Sequence, residues 1–137
     1  MLSLEEALTR LLGSAVPISE TETVSTFEAL GRVLAQDVRS TLDVPPLANT
    51  SMDGYAMRAA DVPREGVVLP VSQRVAAGQV GVQLAPGTAA RIFTGAPVPE
   101  GADAIVMQEQ CELVEGGVKI NAVPAAGQWV RARGEDV

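Results

Sequence analysis

From Val67 onward, short β-branched and apolar runs alternate with glycine- and proline-bearing breaks, and this rhythm constrains the fold more than any other feature. The runs are Val67–Val71, Arg74–Ala76, Ala89–Phe93, Ala104–Gln108, Cys111–Val114, Val118–Ala122 and Gln128–Arg131. Each is long enough for a strand and too short for a helix. Glu115-Gly116-Gly117 sits between two of them and predicts a hairpin. Thirteen glycines and nine prolines supply the turns. Apolar residues make up 47% of the chain and aromatics only 3%, so the core must rest on Val, Leu, Ile and Ala. The predicted fold is mainly β with N-terminal helices (α+β), its strands wound into a coiled, barrel-like domain.

The N-terminal part reads differently. Ser3 and Glu6 form a capping box, and Leu4, Ala7, Leu8, Leu11 and Leu12 share one helix face. Gly13 is placed to end that helix. Ser25 and Glu28 predict a second, shorter helix ending at Gly31. Arg32–Val38 is apolar enough for more helix or for a strand, and the strand is the expectation.

A net charge of −7 argues against nucleic acid and membrane surfaces as partners, because both are anionic. Nine of the ten basic residues are arginine, which suits bidentate contacts to carboxylate and phosphate. There is no histidine, which removes the usual general base and the commonest metal ligand. The single cysteine, Cys111, lies beside Glu109 and Glu112, which predicts an inert thiol. No apolar run reaches membrane-spanning length, and the chain leads directly into a helix carrying Glu5 and Glu6. A cytoplasmic location is the expectation.

Three stretches can carry chemistry. Pro45 to Arg58, PPLANTSMDGYAMR, predicts a rigid folded-back polar loop in which Gly54 permits positive φ and Asp53 is held in place. Asp53 there either serves a ligand or closes a turn on neighbouring backbone N–H groups. Ile92 to Asp103, IFTGAPVPEGAD, runs a strand into Thr94-Gly95, where exposed N–H groups and a hydroxyl can cradle an oxyanion. It is equally a tight strand connection. Arg131 and Arg133 would share a face if their strand continues, giving a phosphate site. Glu135 and Asp136 would otherwise neutralise them. No Ser-His-Asp set, Walker loop or dinucleotide fingerprint is present.

These stretches resemble the signatures of the molybdopterin molybdenumtransferases, the MoeA-type family that includes the E domain of gephyrin. PPLANTSMDGYAMR is similar to PP-x-x-NS-x-MDGYA-x-R, with Thr50 in place of the usual serine. IFTGAPVPEGADAIVMQE matches the second signature, and GQWVRARGED the third, G-x-x-x-R-x-x-GED. SLEEAL and EALGRVLAQDV match the family's opening. The resemblance implies insertion of molybdate into adenylylated molybdopterin with release of AMP and a requirement for magnesium. It also implies a homodimer in the full-length protein, with the molybdopterin adenylyltransferase and other cofactor-synthesis proteins as partners.

Carried over, Asp53, Thr94, Arg131 and Asp136 are the expected catalytic positions. Ser51, Gly95 and Arg133 are expected to contact substrate, and Asp53 and Glu135 the metal. The expected organisation is a helical linking segment over 1–44, a β-rich domain over 45–126 and a return strand over 127–137. The α/β domain of the family is expected beyond Val137, and this chain alone is expected to be inactive. A non-catalytic binding or scaffold β-domain is the alternative.

Overall fold

A four-residue strand, β2 (Gly54–Met57), is the centre of the fold in the computed structural model, which describes residues 2–137. Sequence pattern places these residues in a polar loop; the loop instead ends at Asp53. The reason is burial. All four residues of β2 are buried, so the strand shows no apolar–polar alternation, and its polar flanks mask so short a run.

Two strands flank β2, both antiparallel to it: β5 (Ala89–Ile92) and β6 (Ala104–Met107). Outside β5 lies β4 (Val71–Val75), parallel to it and irregular between Val71 and Gln73. The order in this sheet is β4-β5-β2-β6.

Successive side chains of β2 point to opposite faces, and each face builds a core. Tyr55 and Met57 pack with Val62, Leu69, Ala89, Val106, Val118 and Ile120. Ala56 packs with Val75, Leu84, Ala90, Ile92, Ala96 and Ile105.

The first of these cores includes side chains from a three-stranded antiparallel sheet: β3 (Val67–Leu69), β8 (Gly117–Ile120) and β7 (Cys111–Val114), in the order β3-β8-β7. β7 and β8 form the expected hairpin, with Val114 opposite Gly117. The turn is Glu115-Gly116, and the φ of +90° at Gly116 explains the glycine. A third, two-stranded sheet pairs β1 (Asn49–Thr50) with β9 (Val130–Arg131).

The mainly β expectation holds, and its barrel-like part is met only loosely. The three sheets are separate and none closes on itself. Of Arg74–Ala76, only Arg74 and Val75 are strand, the tail of the longer β4, and Gln128–Arg131 shortens to β9 because Val130 N–H turns back to the Gly127 carbonyl at 3.1 Å.

The chain divides between Arg39 and Ser40 into two units, and the sheets belong to the second. The first unit contains α1 (Leu4–Ser14). Its capping box is complete: Glu6 N–H donates to Ser3 Oγ at 3.2 Å, and Ser3 N–H donates to Glu6 Oε2 at 2.8 Å. Gly13 does not end the helix, which runs on to Ser14 with Ala15 as its cap.

The second predicted helix is only a 3-10 turn, Thr26–Glu28. Ser25 Oγ accepts from Phe27 N–H at 3.4 Å, and Glu28 makes no return bond to the cap. Arg32–Val38 is neither helix nor strand. Val33, Leu34 and Val38 are exposed, so no sheet face buries this run. No helix among the described residues is long and apolar enough to cross a membrane.

Candidate functional site

The site grows from the register of β2 and β5. Gly54 lies opposite Ile92, so Asp53 and the Phe93-Thr94 pair run past the sheet on the same edge. Asp53 Oδ1 accepts two bonds there: from Thr94 N–H at 2.7 Å and from the Thr94 hydroxyl at 2.6 Å. The residues are 41 apart in sequence, so Asp53 is not closing a local turn. Within the turn, Thr94 alone donates to this carboxylate, and the Gly95 N–H goes to the Thr50 carbonyl. Thr94's hydroxyl and N–H bonds, in that order, hold the Asp53 carboxyl below its ordinary range, and the Arg91 charge adds to the effect. Asp53 is half-buried and Thr94 exposed, so the contact faces solvent.

The three signature stretches meet along β1. Thr50 N–H donates to the Ala96 carbonyl at 3.0 Å, and Gly95 N–H donates to the Thr50 carbonyl at 2.9 Å. Ser51 N–H donates to the Trp129 carbonyl at 3.1 Å, and Asn49 lies opposite Arg131. Thr50 itself is buried; its hydroxyl donates to the Met52 carbonyl at 2.7 Å and accepts from Met52 N–H at 3.1 Å. A serine makes the same bonds, which explains why threonine is accommodated. Asp103 adds a second tie: its carboxylate accepts from Ala59 N–H at 2.7 Å and its carbonyl accepts from Gly127 N–H at 2.7 Å.

The third stretch is latched differently from its sequence expectation. The strand stops at Arg131, so Arg131 and Arg133 do not share a strand face. Arg131 pairs with Asp136, whose carboxylate raises the arginine's pKa. Arg133 Nε donates to Asp43 Oδ2 at 2.6 Å, and Glu135 Oε2 accepts from Ala132 N–H at 2.8 Å. Main-chain bonds fasten this turn to the head of the first stretch: Gly134 N–H to the Pro45 carbonyl at 3.0 Å, and Asp136 N–H to the Val44 carbonyl at 2.9 Å.

Asp53 and Thr94 are thus in direct contact, Gly95 follows Thr94, Ser51 lies two residues before Asp53, and Arg131, Arg133, Glu135 and Asp136 form a second cluster joined to them through β1. Sequence reading missed Arg91. The available signal was one charge in a strand whose other residues, Ala89, Ala90 and Ile92, are small or apolar.

Among the described residues, no three Cys, Asp or Glu side chains gather to hold a metal ion. Asp53 Oδ1 is committed to Thr94 and Glu135 Oε2 to Ala132.

Cys111 packs against the Tyr55–Ile120 core. Burial, more than the charge of Glu109, pushes its thiol up to about 11, while Arg91 acts in the opposite direction. Alkylation at pH 8 should therefore run on the order of a hundredfold slower in the folded chain than in urea, because the thiolate is the nucleophile. Equal rates in a timed iodoacetamide reaction would show that the thiol is not shielded.

The family described as MoeA N-terminal region (domain I and II) matches residues 2–137. A molybdopterin molybdenumtransferase of Haemophilus influenzae is 38% identical over 139 residues, covering 100% of this chain and 34% of that protein. One from Nostoc is 44% identical over 119 residues, covering 83% of this chain and 27% of that protein. Among solved structures, the molybdopterin biosynthesis moeA protein of Pyrococcus horikoshii superposes with a TM-score of 0.76 at 37% identity, covering 97% of this chain and 36% of that one. The chain spans about a third of the length of these relatives. The bonds among the three signature stretches and these matches together place the chain in the MoeA N-terminal region family.

Proposed function

We propose that this chain is the front part of a molybdopterin molybdenumtransferase and supplies half of a cleft between two subunits. In that cleft molybdate is inserted into adenylylated molybdopterin, and AMP is released. The observation that carries the reading is the Asp53–Thr94 contact, which joins two family signatures at an exposed sheet edge.

The chain's own residues bind and orient. Ser51 and Gly95 flank the contact and present small surfaces to a ligand. Arg131 and Arg133 carry guanidinium groups suited to anionic oxygens, and their carboxylate partners Asp136 and Asp43 hold them in place until an anion competes. Asp53, fixed through Oδ1, keeps its second oxygen as an acceptor for a substrate hydroxyl or water. Magnesium, where the full protein binds it, would balance phosphate charge, with Asp53 and Glu135 as the carboxylates this chain would offer it.

The first unit has a separate role in the proposal: it joins the dimerising region. Leu4, Leu11 and Leu12 of α1 are 79%, 68% and 73% exposed, an apolar stripe that a second subunit would cover.

The nucleotide–pterin pocket belongs mainly to the part of the family that follows this chain, so the two lengths should differ in activity. Incubated with adenylylated molybdopterin, molybdate and magnesium, the full-length protein should release AMP and this chain should release none above background. AMP release by this chain at the full-length rate would show that the cleft is complete without the remainder.

A further inference from the structure

Arg91 is the single charged side chain of β5, opposite Tyr55 on β2 and Arg74 on β4. Two like charges side by side on neighbouring strands are ordinarily unfavourable. Here aromatic rings accept them: Arg91 Cζ lies 4.4 Å from the Phe93 centroid and 5.2 Å from that of Tyr55, and Arg74 Cζ lies 4.3 Å from Phe93.

Both terminal nitrogens of the guanidinium are also engaged. Nη1 donates to the Gly54 carbonyl at 2.7 Å and to the Ile92 carbonyl at 3.1 Å, and Nη2 donates to Gln108 Oε1 at 2.5 Å. Gln108 N–H in turn donates to the Asp53 carbonyl at 3.0 Å, while its side-chain amide donates to Glu109 at 3.2 Å.

These acceptors surround the Asp53–Thr94 contact. Gly54 follows Asp53, Ile92 precedes Thr94 by two residues, and Gln108 holds the Asp53 main chain. We propose that Arg91 is a positioning residue that keeps the Asp53 carboxylate and Thr94 in register at the sheet edge. The proposal rests on the reading of Asp53 and Thr94 as site residues. A guanidinium fork is needed because it reaches two carbonyls and an amide oxygen at once from a fixed plane. A lysine supplies the same charge through one compact head and cannot make the same set. The positive charge additionally favours ionised Asp53.

The experiment compares Arg91→Lys, Arg91→Met and Asp53→Asn in the full-length protein. Both Arg91 variants should lower kcat on the order of tenfold with little change in KM, because reacting groups are misplaced rather than binding lost. The acid limb of the kcat profile should stay near wild type in Arg91→Lys and move to higher pH in Arg91→Met. Exchange of the Thr94 amide proton should quicken in both. Wild-type kcat and Thr94 exchange in Arg91→Lys, with Asp53→Asn inactive, would overturn the positioning role alone. Full activity in Asp53→Asn would overturn the site reading and the positioning role together. If Arg91→Met fails to fold, Arg91→Lys decides between these outcomes.

Discussion

In the full-length protein, Asp53→Asn is expected to cut molybdate insertion on the order of a hundredfold while leaving the fold unchanged. Asparagine keeps an oxygen where Thr94 N–H and hydroxyl can donate, so the bonds at 2.7 and 2.6 Å have a partner in the variant. Only the charge and the second anionic oxygen are lost. AMP release and circular dichroism separate the two effects. Near-normal release would remove Asp53 from the chemistry. Loss of the folded signal would make it a structural residue.

Thr94→Val refines this result. It deletes the hydroxyl bond and keeps the backbone one. The hydroxyl is the largest cause of Asp53's lowered pKa, so the acid limb of activity should move to higher pH in Thr94→Val. The sign is fixed by linkage. A carboxyl lowered in the folded state contributes stability above its unfolded pKa, and that contribution is lost as pH falls through the folded value. If Thr94 acts chiefly by holding Asp53, the two variants should be strongly non-additive, and the double variant should be about as slow as Asp53→Asn alone.

Much of this was legible from residue pattern, for identifiable reasons. The capping box at Ser3 and the hairpin at Gly116 are local devices, formed by residues within a few positions of one another, and sequence spacing describes them fully. The Asp53–Thr94 contact is different. Each stretch shows on its own that a carboxylate or an N–H cradle is present, but their meeting depends on β2 lying beside β5, and nothing local to either stretch encodes that pairing. The strand expected at Arg32–Val38 did not form for a related reason: apolar content permits a strand, while pairing to another strand is what makes one. Arg131 and Arg133 were misread because alternation assumes a strand that continues, and main-chain bonds to Val44 and Pro45 end it at Arg131. Pattern therefore identified what each segment carries, and long-range pairing determined what it meets.

Gly54→Ala should be the most destabilising single-methyl change in the chain's centre, at about 3 kcal/mol. The sequence suggests that Gly54 serves positive φ in an Asp-Gly turn, yet Gly54 is not among the residues with positive φ. Its requirement is space. A Cβ at this position would lie 2.0 Å from the Val106 carbonyl oxygen and 2.9 Å from the carbonyl carbon. These are backbone atoms of β6, the strand paired with β2, so no side chain can rotate to relieve the overlap. Relief requires β6 to move away, which breaks the pairing of Gly54 with Met107 and shifts Val106 in one core and Ile105 in the other. The same movement displaces Gln108, whose N–H holds the Asp53 carbonyl, so the site should loosen with the sheet. Urea denaturation should therefore show a lower midpoint, and the Asp53–Thr94 bonds should weaken before global unfolding. Gly87→Ala is the control: its added Cβ meets nothing within 4 Å, and its positive φ of +72° gives it backbone strain without overlap. If Gly87→Ala costs as much as Gly54→Ala, steric contact with β6 is not what fixes glycine at position 54.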